Sequence, residues 1–223
     1  MKLLRIGLCI CACFVIGASM VGCANNSKPK VQYTYADLRT KKIYNQQQAL
    51  LLFTTENPAS SIISVKLTSK NGKFYYIVDG TNKKNIRKIY LIDAQNGKIL
   101  KKEDQGLLDK TKITGFIDFV PVMDIDKIGA IATKALKDKD CYQMIGYSLY
   151  SEDDKNVYKL IFTNGDSKNP KYEVVYIDGV SGKVVNPQDE DLQDEDQDSK
   201  KSSTLIEDSD PILDSYLKSS STN

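Results

Sequence analysis

The 223-residue sequence contains no histidine and no tryptophan, and its only cysteine beyond residue 23 is Cys141. Without histidine, neither a Ser-His-Asp triad nor a Cys-His pair can form, and no imidazole can bind zinc, copper or haem. Proton transfer near pH 7 would then fall to a tuned carboxylate, lysine, tyrosine or cysteine. We therefore expect a chain that is not an enzyme, with no catalytic residues, no cofactor and no metal site.

The net charge is also low, at +2 from 31 basic and 29 acidic side chains, but its distribution is uneven. Residues 44–102 carry 10 basic and 3 acidic side chains, whereas residues 186–223 carry 3 basic and 11 acidic ones. The acidic run 189–198 lacks the glycine turn and closing glutamate of an EF-hand loop, so calcium binding is the weaker interpretation. We expect residues 186–223 to be a disordered acidic tail that competes with anionic surfaces for the basic segment.

Residues 1–22 have the composition of a secretory signal peptide: a short basic start, then a mostly apolar run at 6–21. That run is short for a membrane span, which needs about 20 apolar residues. The segment 20–23, Met-Val-Gly-Cys, resembles the bacterial lipobox. This resemblance implies that Cys23 is lipidated, for example with palmitate, and begins the mature chain. We expect a lipid-anchored protein on the extracytoplasmic face of a cell membrane, with residues 23–43 as a tether.

Cysteine usage follows from this expectation. Once the signal is removed and Cys23 is lipidated, Cys141 is the one free thiol, so the mature chain has no internal disulfide. Its position before an apolar run at 142–149 predicts that Cys141 packs as a small hydrophobic residue rather than acting as a reactive thiol.

The mature chain contains an internal repeat. Residues Asp93–Leu100 match Asp178–Val185 at an offset of 85, and both segments have Asp, Gly and Lys at the same spacing. Farther upstream, an offset of 83 aligns 74–78 with 157–161. A difference in loop length accounts for the change, and we infer two copies of one unit.

Each copy has the pattern of one helix followed by three strands and a short fourth, which predicts an α+β fold with a three- to four-stranded antiparallel sheet. Asn71-Gly72 is a strong hairpin signal, and Asp126 is the predicted cap of the second helix. The predicted helices cover 44–53 and 126–136, and the predicted strands cover 61–69, 73–78, 86–93, 142–151, 156–163 and 171–178.

An amphipathic helix, a G-x-Y-Y-x-V strand and a strand ending in D-x-x-x-G-K-hydrophobic resemble the PepSY domain. The resemblance covers 44–102 and 126–185, although the second copy has Asn156 where the motif has glycine. It implies a small non-catalytic α+β unit that binds or restrains peptidases or other envelope proteins. The residues that carry it are Tyr75, Tyr76, Asp93, Gly97 and Lys98 in the first copy and Tyr158, Asp178, Gly182 and Lys183 in the second.

The same motif residues also have a purely structural interpretation, which we favour. Gly97 and Gly182 stand where a positive φ is easiest, and Asp93 and Asp178 are short acceptors for the amides of a turn. The motif therefore predicts two equivalent turns rather than a catalytic site.

Two segments lie outside the copies. The connector 103–125 contains an apolar run at 113–123, which predicts an extra strand or docked segment that makes the main contact between the copies. Because units of about 60 residues bury little surface, the copies should pack on each other or share a continuous sheet. The stretch 210–218 has helix signals and could dock on the body, but we favour a transient helix within the tail.

These features together predict a non-enzymatic envelope lipoprotein whose two units bind proteins, with modulation or inhibition of an envelope or secreted peptidase as the first hypothesis. The alternative is a structural or surface-binding module whose basic first copy associates with anionic cell-wall polymer or lipid headgroups. Nothing in the charge pattern points to a nucleic-acid partner.

Overall fold

The computed structural model describes residues 37–166, 168–186 and 210–220. Within these ranges the chain forms three α-helices and eight strands, and the α+β class predicted from the sequence is confirmed. The helices are α1 (Gln46–Glu56), α2 (Ile125–Ala135) and α3 (Pro211–Ser220). The strands are β1 (Ser61–Lys70), β2 (Lys73–Thr81), β3 (Ile86–Asp93), β4 (Ile99–Leu107), β5 (Gln143–Glu152), β6 (Lys155–Thr163), β7 (Tyr172–Asp178) and β8 (Val184–Val185).

All eight strands belong to one antiparallel sheet in the order β4-β3-β2-β1-β5-β6-β7-β8. At its centre β1 pairs with β5, which places Val65 opposite Leu149 and Leu67 opposite Tyr147. The sheet has more strands than the three to four predicted for each copy. Of the two expected arrangements, packing of the copies on each other or a shared continuous sheet, the continuous sheet forms. Without this pairing β1 and β5 would each expose an edge of unpaired backbone groups, so joining them removes two edges at once.

The two halves of the chain have the same order of elements but different fourth strands. Helix α1 precedes β1–β4, and α2 precedes β5–β8. The prediction of a short fourth strand is wrong for β4, which is nine residues long, and right for β8, which has two. Pro187 follows two residues after β8 in the sequence, and proline cannot donate a hydrogen bond to a strand ladder.

Helices α1 and α2 cover one face of the sheet, which we call the helix face, and close a single core over both halves. Asn45 caps α1: its side chain accepts from the Gln48 amide at 2.8 Å while the Gln48 side chain accepts from the Asn45 amide at 2.9 Å. The cap of α2 is Asp124 rather than the predicted Asp126, because Asp124 has the extended backbone of a cap and accepts from the Asp126 amide at 2.8 Å.

The register of the strands corrects the alignment of the two halves. Tyr76 lies opposite Ile92 on β3, and Tyr158 lies opposite Ile177 on β7. Tyr158 therefore corresponds to Tyr76, at an offset of 82, and not to Tyr75 as the predicted offset of 83 required. Neighbouring residues of a strand point to opposite faces, so a slip of one residue places every side chain on the wrong side of the sheet.

Strand β4 extends to Leu107, five residues into the predicted connector 103–125. The apolar run 113–123 forms no strand, and it does not provide the main contact between the halves, which is the β1–β5 pairing. It is nevertheless docked on the body. The Ile117 amide donates to the Ile62 carbonyl at 2.8 Å, and the Asn156 side chain donates to the Asp118 carbonyl at 2.6 Å. The predicted docking is thus correct, and the predicted strand is not.

The end of the chain differs from the disordered tail expected over 186–223. Residues 211–220 form α3, whose Ile212 and Leu213 are buried against the sheet face opposite α1 and α2. We call this opposite side the second face. The acidic run 189–198 lies outside the described residues.

Buried phenols of the helix face should make the fold sensitive to alkali. Burial raises the pKa of Tyr76 and of Tyr158 to about 12, above the value of about 10 expected in the unfolded chain. Because the folded chain then holds these protons more tightly, their contribution to stability is complete below pH 10 and is lost as the pH rises toward 12. Each group should lower the free energy of unfolding by about 1.4 kcal/mol per pH unit in that window.

Tyr76→Phe should remove one such contribution, as measured by urea unfolding between about pH 9 and 12. Tyr142→Phe, at an exposed position, is the control for loss of a phenol. If Tyr76→Phe left the slope of stability against pH unchanged, ionisation of this phenol would not be linked to folding.

Candidate functional site

The Asp-Gly-Lys motif forms the same turn in both halves. The Gly97 amide donates to the Asp93 carbonyl at 2.8 Å, and the Gly182 amide donates to the Asp178 carbonyl at 2.9 Å. The two glycines have φ values of 72° and 71°. In each turn the amide of the Asp donates to the carbonyl of the Lys, and the side chain of that Lys is exposed. Backbone geometry therefore accounts for the spacing of the motif.

The carboxylates of these turns serve the turns themselves. Asp93 accepts from the Gln95 amide at 2.8 Å, and Asp178 accepts from the Ser181 amide at 2.6 Å. The hydrogen bond from the Ser181 backbone is the main reason that the pKa of Asp178 lies below its usual value. Both carboxylates thus stabilise the turns in which they lie.

Tyr76 and Tyr158 anchor the segments that lead into the helices. The Tyr76 hydroxyl donates to the Tyr44 carbonyl at 2.9 Å, just before α1, and the Tyr158 hydroxyl donates to the Met123 carbonyl at 3.1 Å, just before α2. A third phenol, Tyr147, lies 3.3 Å from the Tyr76 hydroxyl. These tyrosines form a buried polar cluster whose hydrogen bonds are internal, and they play a structural part in the core.

Tyr75 has a different environment from the other motif residues because it points to the second face. Together with Ile77 and Leu91 it is buried under Ile212 and Leu213 of α3, in a cluster separate from the main core. Burial raises the pKa of Tyr75, and the neighbouring Tyr216 and Asp93 act in the same direction. The structure therefore does not bring the nine predicted residues together at one site; it divides them among two turns, the core and the second face.

Three lysines surround this second apolar cluster and contact polar groups of α3. Lys66 forms an ion pair with Asp210 at 3.0 Å, and Lys70 forms one with Asp214. Lys101 on β4 donates to the Ser215 hydroxyl. These lysines were not predicted from the sequence. A signal was present, because Lys66 and Lys70 alternate along β1 with the residues that are buried on its other face.

A shallow cleft of about 270 Å³ with both apolar and hydroxyl side chains lies between α1 and the connector. Leu50, Ile62 and Ile117 form its floor, and Phe116, which is 38% exposed, lies at its rim. A second cleft of similar size lies beside the β2–β3 turn. Its lining includes Lys83, Lys84 and Lys88 together with Glu56, Pro58 and Ile86. The first cleft exposes apolar surface from Phe116, and the second carries three lysines against one glutamate.

The described residues bear on three further properties: metal binding, membrane spanning and thiol reactivity. They include no group of three or more Asp, Glu, Cys or His side chains arranged to hold a metal ion. No helix in these same ranges is long and apolar enough to cross a membrane. Cys141 is a buried free cysteine, and burial is the main cause of its raised thiol pKa, which makes it a poor nucleophile.

Comparison with known proteins gives a match to one family model. Residues 43–103 match the PepSY model, described as the peptidase propeptide and YPEB domain. The matched segment begins before α1 and ends within β4, so it covers the first helix, the first three strands and the first five residues of the fourth. That residues 126–185 are a second copy stays a prediction.

A solved structure extends the likeness in fold beyond this segment. The chain resembles a protein of Clostridium difficile 630 described as a candidate lipoprotein, with 21% identity and a TM-score of 0.56 over 67% of this chain and 96% of that one. At this level of identity the resemblance concerns the fold alone. No curated protein matches the chain significantly.

Comparison of Gly72 with Gly97 separates the energetic cost of a side chain at positive φ from the cost of steric overlap with a neighbouring ring. Gly72 and Gly97 have the same φ of 72°, but a Cβ on Gly72 would contact nothing within 4 Å, whereas one on Gly97 would lie 2.6 Å from the Tyr44 ring. Gly72→Ala should lower the free energy of unfolding by about 1 kcal/mol, from backbone strain alone. Gly97→Ala should cost about 2 kcal/mol more, from overpacking.

Urea unfolding of the two variants against the wild-type chain provides the measurement. Equal losses would contradict the role of Gly97 in letting the turn approach Tyr44.

Proposed function

We propose that the chain is a non-enzymatic, lipid-anchored envelope protein whose helix-and-sheet units bind other proteins, with an envelope or secreted peptidase as the first candidate partner. The observation that carries this proposal is the match of residues 43–103 to a peptidase-propeptide family, over a segment that begins before α1 and ends within β4. The lipobox-like sequence ending at Cys23 supports the anchor, and so does the description of the Clostridium difficile protein as a candidate lipoprotein.

The second half is proposed to be a further unit of the same kind. Its turn at Asp178–Lys183 repeats the hydrogen bonds of the turn at Asp93–Lys98 to within about 0.1 Å. Tyr158 and Tyr76 likewise donate to the carbonyl of the segment that precedes their own helix. Such agreement in backbone detail supports duplication more strongly than the short sequence motif does.

The cleft between α1 and the connector is the proposed contact surface for the partner. Phe116 is partly exposed at its rim, and Leu51 is 65% exposed on the neighbouring helix α1. Interface energy is concentrated in a few apolar or aromatic side chains that enter or line a pocket. A partner that inserts an apolar side chain beside Phe116 would therefore gain most of its affinity here.

Phe116→Ser tests the peptidase hypothesis at this surface. A soluble version beginning at residue 28, which retains every described residue, would be used to recover partners from envelope extracts. We expect a peptidase among them and an affinity loss of at least about tenfold for Phe116→Ser, because an anchor residue of an interface is removed. Val180→Ser, at a site of similar exposure (43%) in the second half, is the matched control.

Recovery of no peptidase, together with secreted proteolysis that does not change when the gene is deleted, would contradict the hypothesis. Equal losses for Phe116→Ser and Val180→Ser would instead place the contact elsewhere on the chain.

A second candidate function is supported by the lysine cleft at the β2–β3 turn. Lys83 and Lys84 are exposed there, within residues 44–102, which carry 10 basic and 3 acidic side chains. We propose, as the alternative, that this turn meets anionic headgroups or wall polymer. Each lysine near an anionic surface contributes about 1 kcal/mol, and this contribution falls with added salt.

Lys83→Glu/Lys84→Glu should therefore weaken binding to phosphatidylglycerol vesicles at least tenfold at about 20 mM salt, and much less at about 500 mM. Lys127→Glu/Lys134→Glu makes the same charge change on the exposed side of α2 and should have a smaller effect. Equal effects of the two pairs would indicate that net charge, rather than this turn, governs binding.

A further inference from the structure

The second face of the sheet combines an apolar centre with a basic rim. Tyr75, Ile77 and Leu91 form the centre, and Lys66, Lys70 and Lys101 stand around it. We infer that this part of the second face is a docking surface for an acidic amphipathic helix. The chain's own α3 occupies it in cis, and a partner helix of the same chemistry binds by displacing α3.

The apolar centre is a cluster of its own. It is separated by the sheet from the core under α1 and α2, and α3 completes it with two side chains, Ile212 and Leu213, each 3% exposed. Removing α3 would thus uncover Tyr75 and Ile77 while the main core stays closed. The surface can therefore exist without its resident helix, which a docking site requires.

The charged groups on the two elements are complementary. Asp210, directly before α3, and Asp214, within it, are four residues apart, and their partners Lys66 and Lys70 are four residues apart on β1. Four residues span one helical turn, so both carboxylates flank the apolar pair at 212–213. A neutral or basic helix in this position would remove the carboxylates that contact Lys66 and Lys70 beside an apolar contact, which favours acidic partners over others.

The way α3 is held makes it replaceable. It is a helix of ten residues, and helices of this length are marginal in water without tertiary contacts. Its two ion pairs are partly exposed to solvent, with side-chain exposures of 20–28%, and such pairs contribute little. A covalently tethered helix nevertheless has an effective concentration of roughly millimolar. Occupancy by α3 is therefore a competition that a better-fitting helix can win.

The contacts of α3 define the pattern that a partner must carry. They require acidic residues four positions apart, two adjacent aliphatic residues between them and a Tyr-Leu pair beyond, as in the sequence 210–217. This recognition is independent of the cleft beside Phe116 and of the identity of any peptidase. It also differs from the tail competition expected from net charge, because specific apolar contacts accompany the ion pairs.

The test uses the full chain and a fluorescent peptide of residues 208–220 as probe. Ile212→Asp/Leu213→Asp in the chain releases α3 without changing the second face. We expect this released chain to bind the probe at least about tenfold more tightly than the wild-type chain, in which α3 blocks the surface. A probe carrying the same two Asp substitutions should not bind. If this variant fails to fold by circular dichroism, Asp210→Lys/Asp214→Lys releases α3 instead.

Charge exchange tests the specificity. In the released chain, Lys66→Glu/Lys70→Glu should abolish binding of the probe and create binding of a probe with Asp210→Lys/Asp214→Lys. Lys127→Glu/Lys134→Glu, an equal charge change on the exposed side of α2, should leave probe binding unchanged within about twofold.

Three results would overturn the inference. In the first, the probe binds the wild-type and released chains equally, or binds neither. In the second, the released chain binds anionic vesicles but not the probe, which would make this face a membrane surface. In the third, sedimentation shows a wild-type dimer that the probe dissociates, which would mean that α3 is supplied by a second copy rather than in cis.

Discussion

The antiparallel pairing of β1 with β5 is the constraint on which the rest of the structure depends. It matches Val65 with Leu149 and Leu67 with Tyr147, and it turns two four-stranded halves into one sheet. Each half alone would have a small core and a long free edge. Once the halves are joined, α1 and α2 pack on the same face and share one core. No disulfide is needed, and the one cysteine among the described residues, Cys141, is a buried free thiol.

The two faces of the continuous sheet are covered by different helices. The helix face is closed by two helices whose entry segments are held by the Tyr76 and Tyr158 hydroxyls. The second face of the first half is closed by α3, through a small apolar cluster and lysine contacts. The core under α1 and α2 and the smaller cluster under the displaceable α3 thus lie on opposite sides of the same strands. The PepSY match covers the half in which both occur.

Local chemistry could be predicted from the sequence, and long-range pairing could not. Alternation located β1 and β3 within one residue, and Asn71-Gly72 forms the predicted hairpin. The alignment of Tyr158 failed by one residue because a short motif does not define loop length. Docking of α3 is the less favoured interpretation of the sequence, because local helix signals contain no information about Lys70, 144 residues from Asp214 in the chain. The turn interpretation of Gly97 and Gly182 was available because φ preferences are local.

Native-state hydrogen exchange tests the central claim that one sheet joins both halves, with α3 as its replaceable cover. We predict that the most protected amides of β1, β2, β5 and β6 exchange with one common free energy of opening, whereas those of 211–220 exchange through a far less costly local opening. A separate, lower free energy for 143–178 would contradict the single sheet, and protection of 211–220 equal to that of β1 would contradict replaceable cover.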